Sequence, residues 1–139
     1  MTIKGLLDGI RVLDFTTMMA GPYCTRQLAD MGAEVIKIEA PGGEQNRRAA
    51  PIRDGESAVY GHLNCGKHSI AIDLKSPEGH RIVLDLARHC DVVVENARPG
   101  VMTRLGLDYD AIRAVKPDTI YCSISGFGQT GPSAQNPAY

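Results

Sequence analysis

The chain has 139 residues, of which 43% are hydrophobic and 22% charged, a composition typical of one soluble globular domain. Fifteen Lys and Arg residues against 16 Asp and Glu give a formal net charge of -1, which argues against a general binder of nucleic acid or of anionic membranes. No apolar run reaches the ~20 residues that a membrane-spanning helix needs, and the N-terminus lacks the hydrophobic region of a signal peptide, so we expect a cytoplasmic protein.

The first part of the chain predicts a βαβ unit. A short apolar run over 10–14 predicts a strand, and apolar residues at helical spacing predict a helix over 20–31. A second strand is expected over 35–39, and the connection has the length of a right-handed parallel crossover. Residues 40–56 are rich in glycine, proline and charge, which predicts a surface loop.

The second part continues the alternation of strands and helices. Residues 69–74 alternate in polarity as a half-buried strand does, and the serine–proline pair at 76–77 predicts a helix start. Three consecutive valines within 91–95 suit a parallel strand covered on both faces. Asp108 can cap a short helix, and 120–124 predicts the last strand. This order predicts an α/β domain with a mostly parallel sheet.

Two short motifs suggest sites that their context does not support. Residues 126–131 match the GxGxxG pattern, but prolines follow at once where a dinucleotide site needs a helix, so a flexible glycine turn or a loop lining a site are the alternatives. His62, Cys65 and His68 stand at three-residue spacing without a fourth candidate ligand nearby, which favours loop packing, and we predict no metal. The four cysteines form no CxxC pair, which argues against a disulfide framework.

Two other segments are candidate anion-binding sites, because each follows a predicted strand and ligands bind at the carboxyl ends of strands in open α/β sheets. Residues 16–22 bring small side chains and free backbone N–H groups to a helix N-terminus, although a tight turn without a ligand is the alternative. Arg98 and Arg104 follow the valine strand, with Asn96 before them, and guanidinium groups suit a phosphorylated ligand. Solvated ion pairs are the alternative for these arginines.

Taken together, these segments resemble the class III CoA-transferase family, the group that includes formyl-CoA transferase and carnitine CoA-transferase. Family members are much longer, so the resemblance implies an incomplete, N-terminal part (1–139) of the large Rossmann-like domain, without the small domain. The residues that carry the resemblance are LDGIRVLD at 7–14, AGP at 20–22, GAEVIKIE at 32–39, NCGKHSI at 64–70, DVVVEN at 91–96, RPG at 98–100 and SGFGQTGP at 125–132.

The resemblance implies a transfer of CoA between an acyl-CoA thioester and a carboxylic acid. An aspartate attacks the thioester, forms an aspartyl anhydride and releases CoA thiolate, which divides one difficult exchange into easier covalent steps. The family pattern places this aspartate directly after Tyr139, so no catalytic residue is expected within the chain, and the chain alone is expected to be inactive. Full-length members are expected to form a homodimer of two interlocked chains.

The resemblance also implies which residues contact CoA. The adenine-side arginine of formyl-CoA transferase is replaced here by Ala40, and Arg47 or Arg48 are the candidates to substitute for it. Two alternatives stay open: an acyl-CoA racemase of the same fold, whose catalytic histidine would stand at Tyr139, and a non-catalytic module that binds CoA or a nucleotide. The implied CoA contacts are Met18, Met19, Ala20, Ile72, Lys75, Asn96, Ala97, Val101, Arg104 and Leu105.

Overall fold

The computed structural model describes residues 5–138, which form strands and helices in alternation. Besides the helices and strands there is a short 3-10 turn at Gln45–Arg48. The strands are β1 (Arg11–Asp14), β2 (Glu34–Glu39), β3 (Ile52–Arg53), β4 (Glu56–Ser57), β5 (His68–Ala71), β6 (Val92–Glu95) and β7 (Ile120–Ser123). The helices are α1 (Ala20–Asp30), α2 (Ala58–Asn64), α3 (Pro77–Ala87), α4 (Val101–Arg104) and α5 (Tyr109–Val115).

Five strands form one parallel sheet in the order β5-β2-β1-β6-β7. The chain adds β2 and β5 on one side of β1 and then crosses to add β6 and β7 on the other. This reversal leaves a crevice at the carboxyl ends of β1 and β6, the place where open α/β sheets bind ligands. The predicted α/β fold with a mostly parallel sheet is therefore confirmed.

The helix boundaries follow the expected capping chemistry. The Ser76 hydroxyl accepts a hydrogen bond from the Gly79 N–H at 3.0 Å, and Asp108 Oδ1 accepts one from the Ala111 N–H at 3.2 Å. Gly32, just past the end of α1, has a φ of +102°, a conformation that glycine adopts at little cost. Of the helices within 5–138, none combines the length and hydropathy needed to cross a bilayer.

The sheet is covered on both faces. Leu13 and Val93 are fully buried against Val83 of α3 and Ile112 of α5. On the other face, Val12, Val35 and Val94 pack against Leu28 and Ala29 of α1. Because alternate residues of a strand share a face, the next residues on the α1 side are Asp14 of β1 and then Lys37 and Glu39 of β2, and all three are buried. The α1 side of the sheet thus changes from apolar to ionic towards its carboxyl edge.

The largest difference from the predicted elements lies between β2 and β5. Residues 40–56 are not a plain surface loop, because they contain the 3-10 turn and part of the β3–β4 hairpin, whose turn at Asp54 and Gly55 has positive φ at both residues. Helix α2 follows, with the Ser57 hydroxyl accepting from the Tyr60 N–H. Helices α2 and α4 were not predicted, because each is too short to show a helical period. Helix α5 is as short as α2 and was predicted from the Asp108 cap.

Strand β5 also differs from the prediction. It ends at Ala71 instead of continuing to 74, and it lies at the edge of the described sheet with all four residues exposed. Ile72, the residue after it, is buried. The alternation over 69–74 therefore reflects an exposed edge strand followed by two residues, Ile72 and Leu74, that pack against the core.

The packing of β1 predicts a clear contrast between two leucine substitutions in the full-length protein. Leu13→Ala removes a fully buried side chain and should lower the free energy of unfolding by about 2–5 kcal/mol. Leu6, which is 85% exposed, is the control, and Leu6→Ala should change it by less than about 0.5 kcal/mol. Denaturant unfolding measures both values, and equal effects would contradict this packing.

Candidate functional site

The loops that follow parallel strands meet at one edge of the sheet, and every predicted contact residue lies on one of them or just beyond it. Met18, Met19 and Ala20 follow β1, and Ile72 and Lys75 follow β5. The residues that follow β6 are Asn96, Ala97, Val101, Arg104 and Leu105. The topology therefore brings the whole predicted set to the carboxyl edge of the sheet.

The turn between β1 and α1 is held by side chains. The Thr16 N–H donates to Asp14 Oδ1 at 2.8 Å, and the Thr16 carbonyl accepts from Lys37 Nζ at 2.6 Å. The Asn96 amide binds both backbone groups of Thr17: Oδ1 accepts from the N–H at 2.9 Å, and Nδ2 donates to the carbonyl at 2.8 Å. Asn96 thus joins the ends of β1 and β6 across the crevice.

Side chains also bind the backbone groups of Met18. Its N–H donates to Glu44 Oε1 at 2.9 Å, and its carbonyl accepts from Asn46 Nδ2 at 2.5 Å. An α-helical bond from the residue four positions later is impossible, since Pro22 has no N–H. Met18 has a φ of +67°, a left-handed conformation that non-glycine residues rarely adopt. The turn leaves Met18 42% and Met19 65% exposed.

The N-terminus of α1 is open. Met19 occupies the N-cap position without a side-chain cap, and no acceptor within residues 5–138 binds the backbone N–H groups of Ala20 and Gly21. Gly21 is required here, because a Cβ at this position would overlap the Thr16 side chain. The open N–H groups and the helix dipole favour a negatively charged ligand group at this point.

A buried ion pair lies beneath the turn. Lys67 Nζ lies 3.0 Å from Asp14 Oδ2 and also donates to the Pro22 carbonyl and to Asn64 Oδ1, both at 2.9 Å. Burial lowers the pKa of Lys67, and the Asp14 carboxylate opposes that effect. The Thr25 hydroxyl donates to the same Asp14 oxygen at 2.7 Å. These bonds tie the end of β1 to α1 and α2.

Glu39, at the end of β2, accepts hydrogen bonds at both oxygens. Arg47 binds both of them at 2.7 Å, and Oε1 also accepts from Tyr60 at 2.6 Å and from Ser69 at 2.7 Å. Burial acts to raise the pKa of Glu39, but the bonds from Arg47, Tyr60 and Ser69, with one from the Glu44 N–H, together hold it well below its usual value. The Arg47 guanidinium also stacks on the Tyr60 ring, 3.9 Å from the ring centroid.

This arrangement does not fit a dinucleotide site. In dinucleotide-binding folds an acid near the end of the second strand binds the ribose, whereas Glu39 is already occupied by protein donors. The glycine motif at 126–131 leads into turns, and no helix begins there within the described residues. It lies instead beside a cavity of about 180 Å³, whose lining includes Glu95, Tyr121 and Gln129, in agreement with the alternative of a loop that lines a site.

Uncompensated positive charge lies at the carboxyl edge. The exposed side chains of Lys75, Arg98 and Arg104 form no hydrogen bond or ion pair with any residue from 5 to 138. Some exposed cations elsewhere are paired, as Arg11 lies 2.7 Å from Glu34 and Arg81 lies 2.6 Å from Glu78, whereas exposed Arg53 has no such partner among residues 5–138. An anionic ligand at this edge would therefore meet free cations.

The other predicted contacts have more restricted roles. Ile72 belongs to the hydrophobic core, so only its backbone is available to a ligand. Ala97 and Leu105 are partly buried against the same core, and Val101 begins α4. Of the two arginines considered for the adenine side, Arg48 is exposed and its Nη2 lies 3.4 Å from the Gly42 carbonyl, whereas Arg47 is held in place by Glu39.

The structure shows no metal site or disulfide in the part of the chain that it describes. No group of three or more His, Cys, Asp or Glu side chains among residues 5–138 is arranged to hold a metal ion. The exposed His62 ring stacks on Tyr23 and lies 3.0 Å from an Arg26 nitrogen. All four cysteines are free thiols.

Sequence reasoning identified Asn96 but missed the other polar residues that hold the site. Lys37 and Glu39 had one available signal: they alternate with Ile36 and Ile38, so one face of a central parallel strand is charged where both faces are normally apolar. Glu44 and Asn46 had no such signal, since they lie in a stretch whose composition indicates an exposed loop.

Comparison with known proteins decides the family. The model of CoA-transferase family III matches residues 7–139. The chain belongs to this family. The resemblance stated from the sequence motifs is thereby confirmed.

Relatives within CoA-transferase family III are similar over nearly the whole chain. Succinyl-CoA:glutarate CoA-transferase of Mus musculus is 47% identical over 135 residues, which are 96% of this chain and 31% of that protein. Acetyl-CoA:oxalate CoA-transferase of Acetobacter aceti is 46% identical over 137 residues, 98% of this chain and 35% of that protein. The chain thus spans about a third of the length of the curated relatives it matches.

The fold agrees with a solved structure of the family. The crystal structure of a CAIB/BAIF family protein from Brucella suis superposes with a TM-score of 0.93 at 39% identity, and the match covers 99% of this chain and 38% of that one. The chain thus corresponds to an N-terminal part of a larger α/β protein, as the sequence motifs predicted.

The hydrogen bonds at Glu39 predict a pH dependence of stability. Because its pKa in the folded state lies below the usual value of 4.5, the stabilisation is present above that pH and is lost as the pH falls below it. Glu39→Gln should lower the free energy of unfolding by about 2 kcal/mol at pH 7, a typical value for hydrogen bonds to a charged group. The difference from wild type should shrink between pH 4.5 and pH 3 in denaturant unfolding. Glu34→Gln, on the same strand but exposed, is the control, and a pH-independent loss for Glu39→Gln would contradict this reasoning.

Proposed function

We propose that residues 1–139 are the N-terminal, CoA-binding part of the large domain of a class III CoA-transferase. The whole enzyme would move CoA from an acyl-CoA thioester to a carboxylic acid. The observation that carries this proposal is the turn at 16–18, which side chains hold at the crevice between β1 and β6 and which leads into the open N-terminus of α1. Its position at the carboxyl edge is the position expected for a ligand in this type of sheet.

Charge at the same edge supports an extended anionic ligand. Lys75 follows β5 and Arg104 follows β6, and three strand spacings separate these strands, or about 14 Å. CoA carries phosphates at separate points, so we assign Lys75 and Arg104 to its phosphates. Met18, Met19 and Ala20 follow β1, which lies between β5 and β6, and we assign them to the part of CoA between those two cations. Arg47, whose guanidinium is fixed by Glu39, is the better of the two candidates to stack on the adenine.

The chemistry follows from the family resemblance. We propose that an aspartate directly after Tyr139, a residue outside the described range, attacks the acyl carbon of the thioester. A C–O bond forms while the C–S bond breaks, which gives an aspartyl anhydride and CoA thiolate. The thiolate then attacks the aspartyl carbonyl carbon and the donor leaves as a carboxylate. The acceptor carboxylate next displaces the thiolate to form a second anhydride, and the thiolate attacks the acceptor's acyl carbon, which gives the new acyl-CoA and frees the aspartate. The N–H groups at the start of α1 would stabilise negative charge on the bound ester.

The assembly and location are part of the same proposal. We expect a cytoplasmic homodimer of interlocked chains, with the small domain outside this chain. Ile120 and Phe127 are both more than half exposed, which supports a covering surface supplied by the rest of the protein or by a second copy. The racemase and the binding module have no comparable support, since both curated relatives described above are named as CoA-transferases.

Transfer activity can be tested in the full-length protein. With an acyl-CoA donor and an isotopically labelled carboxylic acid, label should enter the acyl-CoA pool, and replacing the residue after Tyr139 with alanine should abolish this exchange. The chain of residues 1–139 alone should show no exchange above background. Robust turnover by that chain would contradict the assignment of the nucleophile.

The assignment of Arg104 gives a binding prediction. In the full-length enzyme, Arg104→Ala should weaken CoA binding by about 1–3 kcal/mol, the usual loss for a charge-assisted hydrogen bond. Calorimetric titration measures the change. Arg88→Ala is a matched control, because Arg88 lies just after α3 at the opposite edge of the sheet and pairs with Asp85. Equal affinities for the Arg104 variant and wild type would exclude Arg104 as a phosphate ligand.

A further inference from the structure

The left-handed conformation of Met18 needs an explanation, because it is unfavourable for a residue with a side chain. Met18 and Asp54 are the only non-glycine residues between 5 and 138 with positive φ. Asp54 lies in a tight hairpin turn, where aspartate is common. Methionine has no such preference, so the surroundings of Met18 must hold it in this conformation.

Two buried side chains from one distant segment supply that constraint. Glu44 accepts from the Met18 N–H, and Asn46 donates to the Met18 carbonyl, while both side chains are almost fully buried. No other hydrogen bond within residues 5–138 reaches these two backbone groups of Met18. Releasing either bond would leave the conformation of Met18 less restrained.

Glu44 is itself held by a buried cation. Lys37 Nζ lies 3.1 Å from Glu44 Oε2, and both side chains are nearly inaccessible to solvent. Lys37 also donates to the Thr16 carbonyl, so the same cation contacts the turn directly. In addition, the Glu44 N–H donates to Glu39 Oε2 at 2.8 Å, which connects the segment to β2. Lys37, Glu44 and Asn46 together form what we call the Met18 clamp.

We propose that Glu44 and Asn46 of the Met18 clamp are positioning residues, which keep Met18 left-handed so that residues 18–21 are already arranged for the CoA ester before it binds. This inference rests on the proposed function. Neither residue needs to touch the ligand. Their effect is on the fraction of molecules in which the turn has its binding conformation, and that fraction scales the apparent affinity.

Asn46→Ala in the full-length enzyme is the main test. Without the bond to its carbonyl, Met18 should favour negative φ, and the apparent Kd and the KM for acyl-CoA should rise about 5- to 30-fold with kcat nearly unchanged. Asn46→Asp keeps the size of the side chain but has no donor for the carbonyl, and it should behave in the same way. Gln45→Ala, an exposed neighbour in the same 3-10 turn, is the control and should leave both constants unchanged.

A double-mutant cycle separates positioning from a general loss of stability. Glycine adopts positive φ readily, so in a Met18→Gly background the added change Asn46→Ala should raise Kd by only about twofold. Equal losses in both backgrounds, or an unchanged Kd for Asn46→Ala and Asn46→Asp, would overturn the inference. If the wild-type enzyme binds no CoA ester at all, the proposed function fails and the inference with it. Tight wild-type binding with unaffected Asn46 variants overturns the inference alone.

Discussion

The structure of the site depends on one constraint: the backbone of Thr16, Thr17 and Met18 has no backbone hydrogen-bond partner within residues 5–138. Buried or partly buried peptide groups need partners, and here side chains supply all six. The donors and acceptors come from the end of β1, from β2, from the segment after β2 and from the end of β6. They are Asp14, Lys37, Glu44, Asn46 and Asn96. A change in the relative position of any of these elements would therefore disturb the turn.

The ionic residues beneath this turn fix the path of the backbone more than they stabilise the fold. A buried ion pair gains little net free energy over well-packed apolar residues, whereas loss of one partner costs several kcal/mol. Asp14–Lys67 and Lys37–Glu44 are such pairs, and each has additional hydrogen bonds that a hydrophobic replacement would lose. Directional bonds define the path of the chain between β1 and α1, which apolar packing alone would not do. This explains why the α1 side of the sheet changes from valines to charged residues at its carboxyl edge.

Features that depend on neighbouring residues in the chain can be predicted from the sequence, whereas contacts between residues far apart in the chain cannot. The Ser76 cap and the three valines of β6 depend on neighbours in the chain, so local patterns predict them correctly. The carboxyl-edge position of Arg104 follows from strand order alone, and it was also predicted. Glu44 and Asn46 act on a residue 26 and 28 positions away, and nothing in their own segment distinguishes them from exposed loop residues. Long-range polar contacts of this kind leave no periodic signal in a single sequence.

Although the net charge is only -1, the cations differ in whether a carboxylate pairs with them. Buried cations such as Lys37 and Lys67 are matched by carboxylates, and exposed cations such as Arg11 and Arg81 are matched on the surface. Arg53 in the β3–β4 hairpin has no hydrogen-bond or ion-pair partner among residues 5–138. Lys75, Arg98 and Arg104 also have none, and these three follow strands that end at the carboxyl edge. Because solvent ions screen charges beyond about 10 Å, such a group acts on a ligand at close range and does not attract polyanions over the whole surface. Under the proposed function, local cations beside the turn at 16–18 would be the arrangement by which a chain without net positive charge selects an anionic thioester.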